Sequence, residues 1–139
     1  MSEEQAQQLL YQMQMLEGYL SKLSQKEATI VSVIREASSA IQSLKTIDNK
    51  TDNETLTPVG LGTFIKTKVV PNEKLILNIG AGIAVEKDKD SAINFLELRL
   101  KEMQVALQET SNQKQQISAN LEQGKQQMEQ MLAASRSKK

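Results

Sequence analysis

The sequence lacks the side chains on which most metal, redox and acid–base sites are built. It has 139 residues and contains no cysteine, no histidine and no tryptophan. Disulfides, thiolate nucleophiles, zinc sites of the Cys/His kind and the usual general base are therefore excluded. We expect a protein that is not an enzyme, with no catalytic residue, no metal site and no cofactor.

Aromatic residues and excess charge are also scarce. Aromatics make up 3% of the chain, and 17 basic residues balance 17 acidic ones. A thick globular core is hard to build without large rings, and nucleic-acid binding needs clustered cations. No apolar run approaches a membrane span, and the first residues do not resemble a signal peptide. We expect one cytoplasmic domain with no nucleic-acid or membrane partner.

Two stretches of equal length carry mostly apolar residues at alternating spacings of three and four. This average spacing of 3.5 residues is the period of a left-handed coiled coil. We call these residues the core positions. In the first stretch they are Ala6, Leu9, Met13, Leu16, Leu20, Leu23, Glu27, Ile30, Ile34, Ala37, Ile41 and Leu44. In the second they are Ile93, Leu96, Leu100, Met103, Leu107, Thr110, Lys114, Ile117, Leu121, Gly124, Met128 and Met131.

Two equal stretches separated by a compact segment predict one long antiparallel helical hairpin. Opposing Leu44 with Ile93 places Glu27 opposite Thr110, with Lys114 one turn further along. These three residues could form one polar layer, which would cost stability and fix the register. Alternatively, Glu27 and Lys114 both extend outward to solvent. Gly124 is expected to weaken the second helix.

The free ends of the predicted helices are rich in methionine and leucine. Methionine is flexible and polarisable, which suits surfaces that accept many shapes. Several of these residues fall outside the core positions, so an isolated hairpin would expose them. The candidate binding residues are Leu9, Leu10, Tyr11, Met13, Met15, Met128, Met131 and Leu132.

The middle segment has a different composition and predicts four short strands. Residues 46–53 are polar and turn-rich, which is typical of a loop. Strands are expected at 56–59, 63–70, 74–79 and 83–86, paired as two β-hairpins. Such a small sheet does not form a stable core alone, so we expect it to pair with other chains. The candidate assembly residues are Phe64, Ile65, Val69, Leu75, Leu77, Ile79, Ile83 and Val85.

The order of these segments resembles the archaeal prefoldin alpha subunits. The likeness rests on the helical stretches together with Glu54-Thr55-Leu56-Thr57-Pro58-Val59-Gly60 and the run from Asn78 to Lys87. It implies an α+β fold in which the coiled-coil hairpin carries two β-hairpins, and these assemble into an intersubunit β-barrel. The segments would be residues 1–47, 48–87 and 88–139, the last with a short basic tail.

The resemblance also implies a function. Two alpha and four beta subunits would form a hexamer that captures unfolded proteins at the coiled-coil tips without ATP and delivers them to a group II chaperonin. A structural or adaptor coiled coil that binds a single folded partner is the alternative. The two differ in specificity, since an adaptor binds one partner and a holdase binds many unfolded chains.

Overall fold

The computed structural model describes residues 3–47 and 50–137. The elements in chain order are α1 (Glu3–Thr46), β1 (Asn53–Gly60), β2 (Thr63–Val69), β3 (Leu75–Gly80), β4 (Ile83–Lys87) and α2 (Lys89–Ser137). The Asp48 and Asn49 part of the predicted loop, and Lys138 and Lys139 of the predicted basic tail, lie outside the described residues. The predicted fold class, two long helices with two antiparallel β-hairpins between them, is confirmed.

The 3.5-residue period in the sequence corresponds to the burial pattern along both helices. Every core position of α1 and α2 is buried or half-buried, including the polar ones. Leu23, Ile30, Ile41 and Leu121 are among the most buried apolar side chains. Among the described residues, neither helix carries a stretch that is long and apolar enough to cross a membrane.

The chain divides into two compact units, and the first is formed by Met1–Val33 with Met103–Lys139. In this unit α1 and α2 run antiparallel, since Met13 lies against Gly124 and Glu27 pairs with Lys114. Within this unit, the proximity of Met13 and Gly124 agrees with the register predicted from the sequence.

The second unit, Ile34–Glu102, contains both hairpins and the adjoining helix ends. Lys45 pairs with Glu97 across the helices at 3.6 Å, and the Lys89 ammonium donates to the Ile47 carbonyl at 2.9 Å. The Lys89 bond satisfies a carbonyl just beyond the end of α1. Asp88 caps α2, because its carboxylate accepts from the Ser91 backbone N–H at 2.8 Å.

The two hairpins form separate two-stranded sheets and have the same kind of turn. In each hairpin the register shifts just before a Gly-X-Gly turn, at Pro58/Gly60 and at Asn78/Gly80. Leu61 and Ala81 occupy the middle of these turns with φ of 48° and 54°. Positive φ at this residue and at the following glycine is the conformation of a type I′ hairpin turn.

β1 is longer than the sequence pattern indicates. The expected strand began at Leu56, whereas the observed one begins at Asn53 and pairs Asn53, Glu54 and Thr55 with residues of β2. Placing residue 53 in the loop was therefore wrong. The physical reason is cross-strand pairing, since the Thr55 and Thr57 hydroxyls both hydrogen-bond that of Thr67 and Glu54 lies opposite Lys68.

Candidate functional site

Exposed apolar side chains are concentrated at the free ends of the helices in the first unit. Tyr11 is 65% exposed and Met15 59%, and Leu10, Tyr19 and Leu132 are about half exposed. We call these five residues the helix-end patch. They lie outside the core positions because the 3.5-residue period directs other side chains into the helix–helix contact. The patch is therefore a surface that the chain does not cover by itself.

The candidate binding residues divide into two groups in the structure. Leu10, Tyr11, Met15 and Leu132 are exposed. The other four are half-buried at core positions: Leu9, Met13, Met128 and Met131. Their positions follow the helix–helix period, and a binding role for these four residues stays a prediction. Tyr19 was not among the candidates, although its position outside the core period could have identified it.

Gly124 was expected only to weaken the second helix, but in the structure it also provides space for another side chain. It is buried, and a Cβ added to it would lie 3.0 Å from Met13 Cγ and 3.2 Å from Met13 Sδ. The missing side chain therefore makes room for Met13. Leucine or alanine at this core position would displace a methionine that holds the free ends of the helices together.

Two of the polar core positions, Glu27 and Lys114, pair across the helices of the same unit. The Lys114 ammonium donates to the Glu27 carboxylate at 3.1 Å, and both side chains are about 30% exposed. Thr110 is 1% exposed, and its hydroxyl donates to the Ala106 carbonyl at 2.8 Å. Each buried polar atom thus has a partner, so this layer can lie in an apolar contact without an unpaired group.

The hairpins in the second unit expose an unusual amount of apolar surface. Phe64, Ile65, Ile79 and Ile83 of the candidate set are about half exposed. Val69, Leu75, Leu77 and Val85 are half-buried within the chain. Five further residues of this segment with exposed apolar side chains lie outside the candidate set: Leu56, Val59, Leu61, Val70 and Ile76.

Alternation along the strands separates two faces of each hairpin. Val69 lies opposite Asn53, and Leu77 lies opposite Val85, on the faces that the chain partly covers. Leu56 and Ile76 lie on the other faces and are 62% and 74% exposed. An exposed two-stranded hairpin with apolar residues on its open face is marginal in water, so these surfaces favour pairing with strands of another chain.

Leu61 is the most exposed of these residues. It is 107% exposed at the tip of the first hairpin, in a left-handed conformation that costs a non-glycine residue about 1–2 kcal/mol. Asparagine, aspartate or glycine is the usual choice at this turn position. Leu61 departs from this preference, and backbone outliers of this kind cluster at functional sites.

Electrostatics at the start of α2 come from the capping interaction. The hydrogen bond from the Ser91 backbone N–H, followed by that from the Ser91 side chain, lowers the pKa of the Asp88 carboxyl below its ordinary value of 3.8. The positive charges of Lys74 and Lys87 act in the same direction. Helix capping therefore accounts for this acid.

Comparison with known proteins gives a consistent result. A family profile described as "Prefoldin subunit" matches residues 16–134. The chain is 53% identical over 134 residues to the prefoldin subunit alpha of Nitrosopumilus maritimus, covering 96% of this chain and 92% of that protein. It is 35% identical over 108 residues to the prefoldin subunit alpha of Pyrococcus horikoshii, covering 73% and 70%.

A solved structure has the same fold. The crystal structure of the prefoldin beta subunit from Thermococcus strain KS-1 matches with a TM-score of 0.68 and covers 92% of both chains. The two sequences are 16% identical, so this likeness concerns the fold alone.

Proposed function

Because the chain belongs to the prefoldin family, whose members are non-enzymatic subunits of a chaperone, we propose that it holds unfolded proteins at the helix-end patch without ATP. The exposure of Leu10, Tyr11, Met15 and Leu132 carries this proposal. Unfolded chains expose apolar segments, and burial of apolar area releases about 25 cal/mol per Å².

Weak contacts of this kind suit a holdase that uses no ATP. Each patch side chain is already partly covered, so one contact supplies about 1 kcal/mol, a fraction of full burial. Several patches acting on one client raise the affinity through effective concentration, while each single contact remains easy to break. The flexible methionine side chain also adapts to clients of different shape.

The test replaces Leu10, Met15 and Leu132 with Ser and measures light scattering as a denatured client aggregates. We expect most of the protection to be lost while assembly is retained. The control replaces Leu98 and Val105, which are exposed to a similar degree on α2 but lie away from the helix ends. Full protection by the patch variant, or equal loss in the control, would contradict the role of the helix ends.

We further propose that the hairpins join two of these chains to four beta subunits in a hexamer through an intersubunit β-barrel. The open hairpin faces, with Leu56, Phe64 and Ile76 exposed, support this arrangement. Phe64→Asp combined with Ile76→Asp places charge on the open faces and is expected to abolish co-elution with beta subunits. Glu54→Lys, which changes charge on the same face without removing apolar area, is the control. Normal hexamers of the Phe64/Ile76 variant in native mass spectrometry would rule out these faces.

The polar layer at Glu27, Thr110 and Lys114 is proposed to fix the register of α1 against α2. The Glu27–Lys114 contact at 3.1 Å supports this role, because a shift of either helix by one heptad would separate the two charges. Delivery of clients to a group II chaperonin and a cytoplasmic location complete the proposed function. Transfer is tested by adding chaperonin and ATP to a preformed client complex, and the client is expected to refold.

A further inference from the structure

An open groove lies on the side of α1 and includes Met15 and Tyr19 of the helix-end patch. It has a volume of about 630 Å³ and is lined by Gln12, Met15, Leu16, Gly18, Tyr19 and Lys22. Met15 and Tyr19 form exposed walls, and Leu16 closes the inner side towards the helix–helix contact. The groove therefore combines apolar walls with a polar rim, as ligand-binding surfaces commonly do.

Gly18 is an exposed residue of this groove, and we call the open space over it the notch. No atom lies within 4 Å of a Cβ added to it. Glycine inside a helix costs about 1 kcal/mol relative to alanine. At Gly124 that cost is offset because Met13 fills the space, whereas no side chain of the described residues fills the notch at Gly18. The space is bounded by Met15 and Lys22, which lie one turn on either side.

The charge on the groove has one sign. Lys22 alone among the six lining residues is charged, and Glu17 lies on the opposite side of α1. Its ammonium can attract a carboxylate or the face of an aromatic ring. A ligand with a large apolar side chain next to an acidic residue would complement both the notch and the cation.

We propose that the notch at Gly18 takes one large apolar side chain of a client segment, preferably an aromatic one, and that Lys22 pairs with an acidic residue beside it. The proposal rests on the proposed client capture and adds a preference to it. Clients would be held on the side of α1 as well as at its end, through segments in which an aromatic residue is flanked by Asp or Glu.

The experiment uses the assembled complex and two fluorescent peptides of unstructured sequence. One peptide carries a single Phe flanked by two Glu, and the other carries the same Phe flanked by two Lys. Fluorescence anisotropy is expected to show at least threefold tighter binding of the Glu peptide, with a preference that declines as salt screens the charges. Lys22→Glu is expected to reverse the preference, whereas Lys26→Glu, outside the groove, is expected to leave its direction unchanged.

Gly18→Ala separates binding from stability. The added methyl group fills the notch, so we expect at least threefold weaker binding of the Glu peptide together with a higher melting temperature, since alanine favours the helix. Ser21 is exposed and lies outside the groove, so Ser21→Ala should raise the melting temperature without weakening the binding of the Glu peptide.

The outcomes distinguish this proposal from the wider one. Equal binding of both peptides, or unchanged binding by Gly18→Ala, refutes the notch even if the complex still protects clients from aggregation. A change in the mass of the complex caused by Gly18→Ala would make another subunit the occupant and would also refute it. Failure of the unmodified complex to protect any client would instead refute the proposed function.

Discussion

Replacement of Gly124 by Ala should destabilise the chain, although alanine is the better helix former. The new methyl carbon would lie 3.0 Å from Met13 Cγ, at least about 0.5 Å closer than carbon atoms pack comfortably. Cγ is placed by the first side-chain torsion, which has only two favourable values in a helix. Met13 must therefore shift from Cγ outward by a few tenths of an ångström, and the side chains packed around it resist that shift.

The magnitude follows from two opposing effects. Overpacking of this kind lowers the free energy of unfolding by about 1–3 kcal/mol, and the higher helix propensity of alanine raises it by about 1 kcal/mol. We expect a net loss of about 1 kcal/mol for Gly124→Ala. Met13→Ala should lower the free energy of unfolding by about 2 kcal/mol. This is the low end of the range for a buried methionine replaced by alanine, because Met13 is only half-buried.

The double variant tests the reasoning. Without the methionine there is no clash, so the Ala at 124 should recover its helix propensity. The double variant is then about 2 kcal/mol more stable than additivity predicts. Urea unfolding followed by helical circular dichroism measures all four free energies of unfolding. Gly18→Ala, an exposed site with empty space, is the control and should stabilise. Effects of Met13 and Gly124 that add within about 0.5 kcal/mol would refute the proposed packing.

Three further predictions concern the polar layer, the helix cap and the first turn. Replacing both Glu27 and Lys114 with Leu is expected to raise the melting temperature while allowing more than one register. Lys114→Met alone should lower the free energy of unfolding by no more than about 1 kcal/mol, because the ion pair is partly exposed. A lower melting temperature for the double variant would count against this reasoning. Asp88→Ala should reduce stability at neutral pH. Because the folded pKa of Asp88 is lowered, its contribution is present above its ordinary pKa and is lost as pH falls through the folded value, so unfolding curves of the two proteins should converge in acid. Leu61→Gly should relieve the left-handed strain and stabilise the isolated chain by at most about 1 kcal/mol. The same variant should weaken co-assembly with beta subunits, as measured by native mass spectrometry. The control, Ala81→Gly at the same position of the second turn, should leave assembly intact.

The helices could be predicted because their information is local and periodic. Each core position repeats after three or four residues, so neither tertiary structure nor a partner was needed to find them. The same pattern identified Leu10, Met15 and Leu132 as exposed, since they fall outside it. Strand positions were largely predictable from the two Gly-X-Gly turns between runs of β-branched and apolar residues.

The details that were missed depend on residues that are distant in sequence. The start of β1 at Asn53 depends on β2, which the local polar composition does not reveal. Gly124 indicated only a weak helix until Met13 was seen to occupy its space. Leu61 contradicts the residue preference of its turn, so its left-handed conformation could not be predicted from its residue type.

The pairing of the two helices has a consequence for the order in which they associate. The contact between Ile47 and Lys89 closes a loop of 42 residues, whereas that between Glu27 and Lys114 spans 87. Each doubling of loop length adds about 0.6 kcal/mol of closure entropy. Association should therefore start beside the hairpins and proceed towards the helix ends, which close last and open first. Amide hydrogens near Leu9 should accordingly exchange faster than those near Ile41.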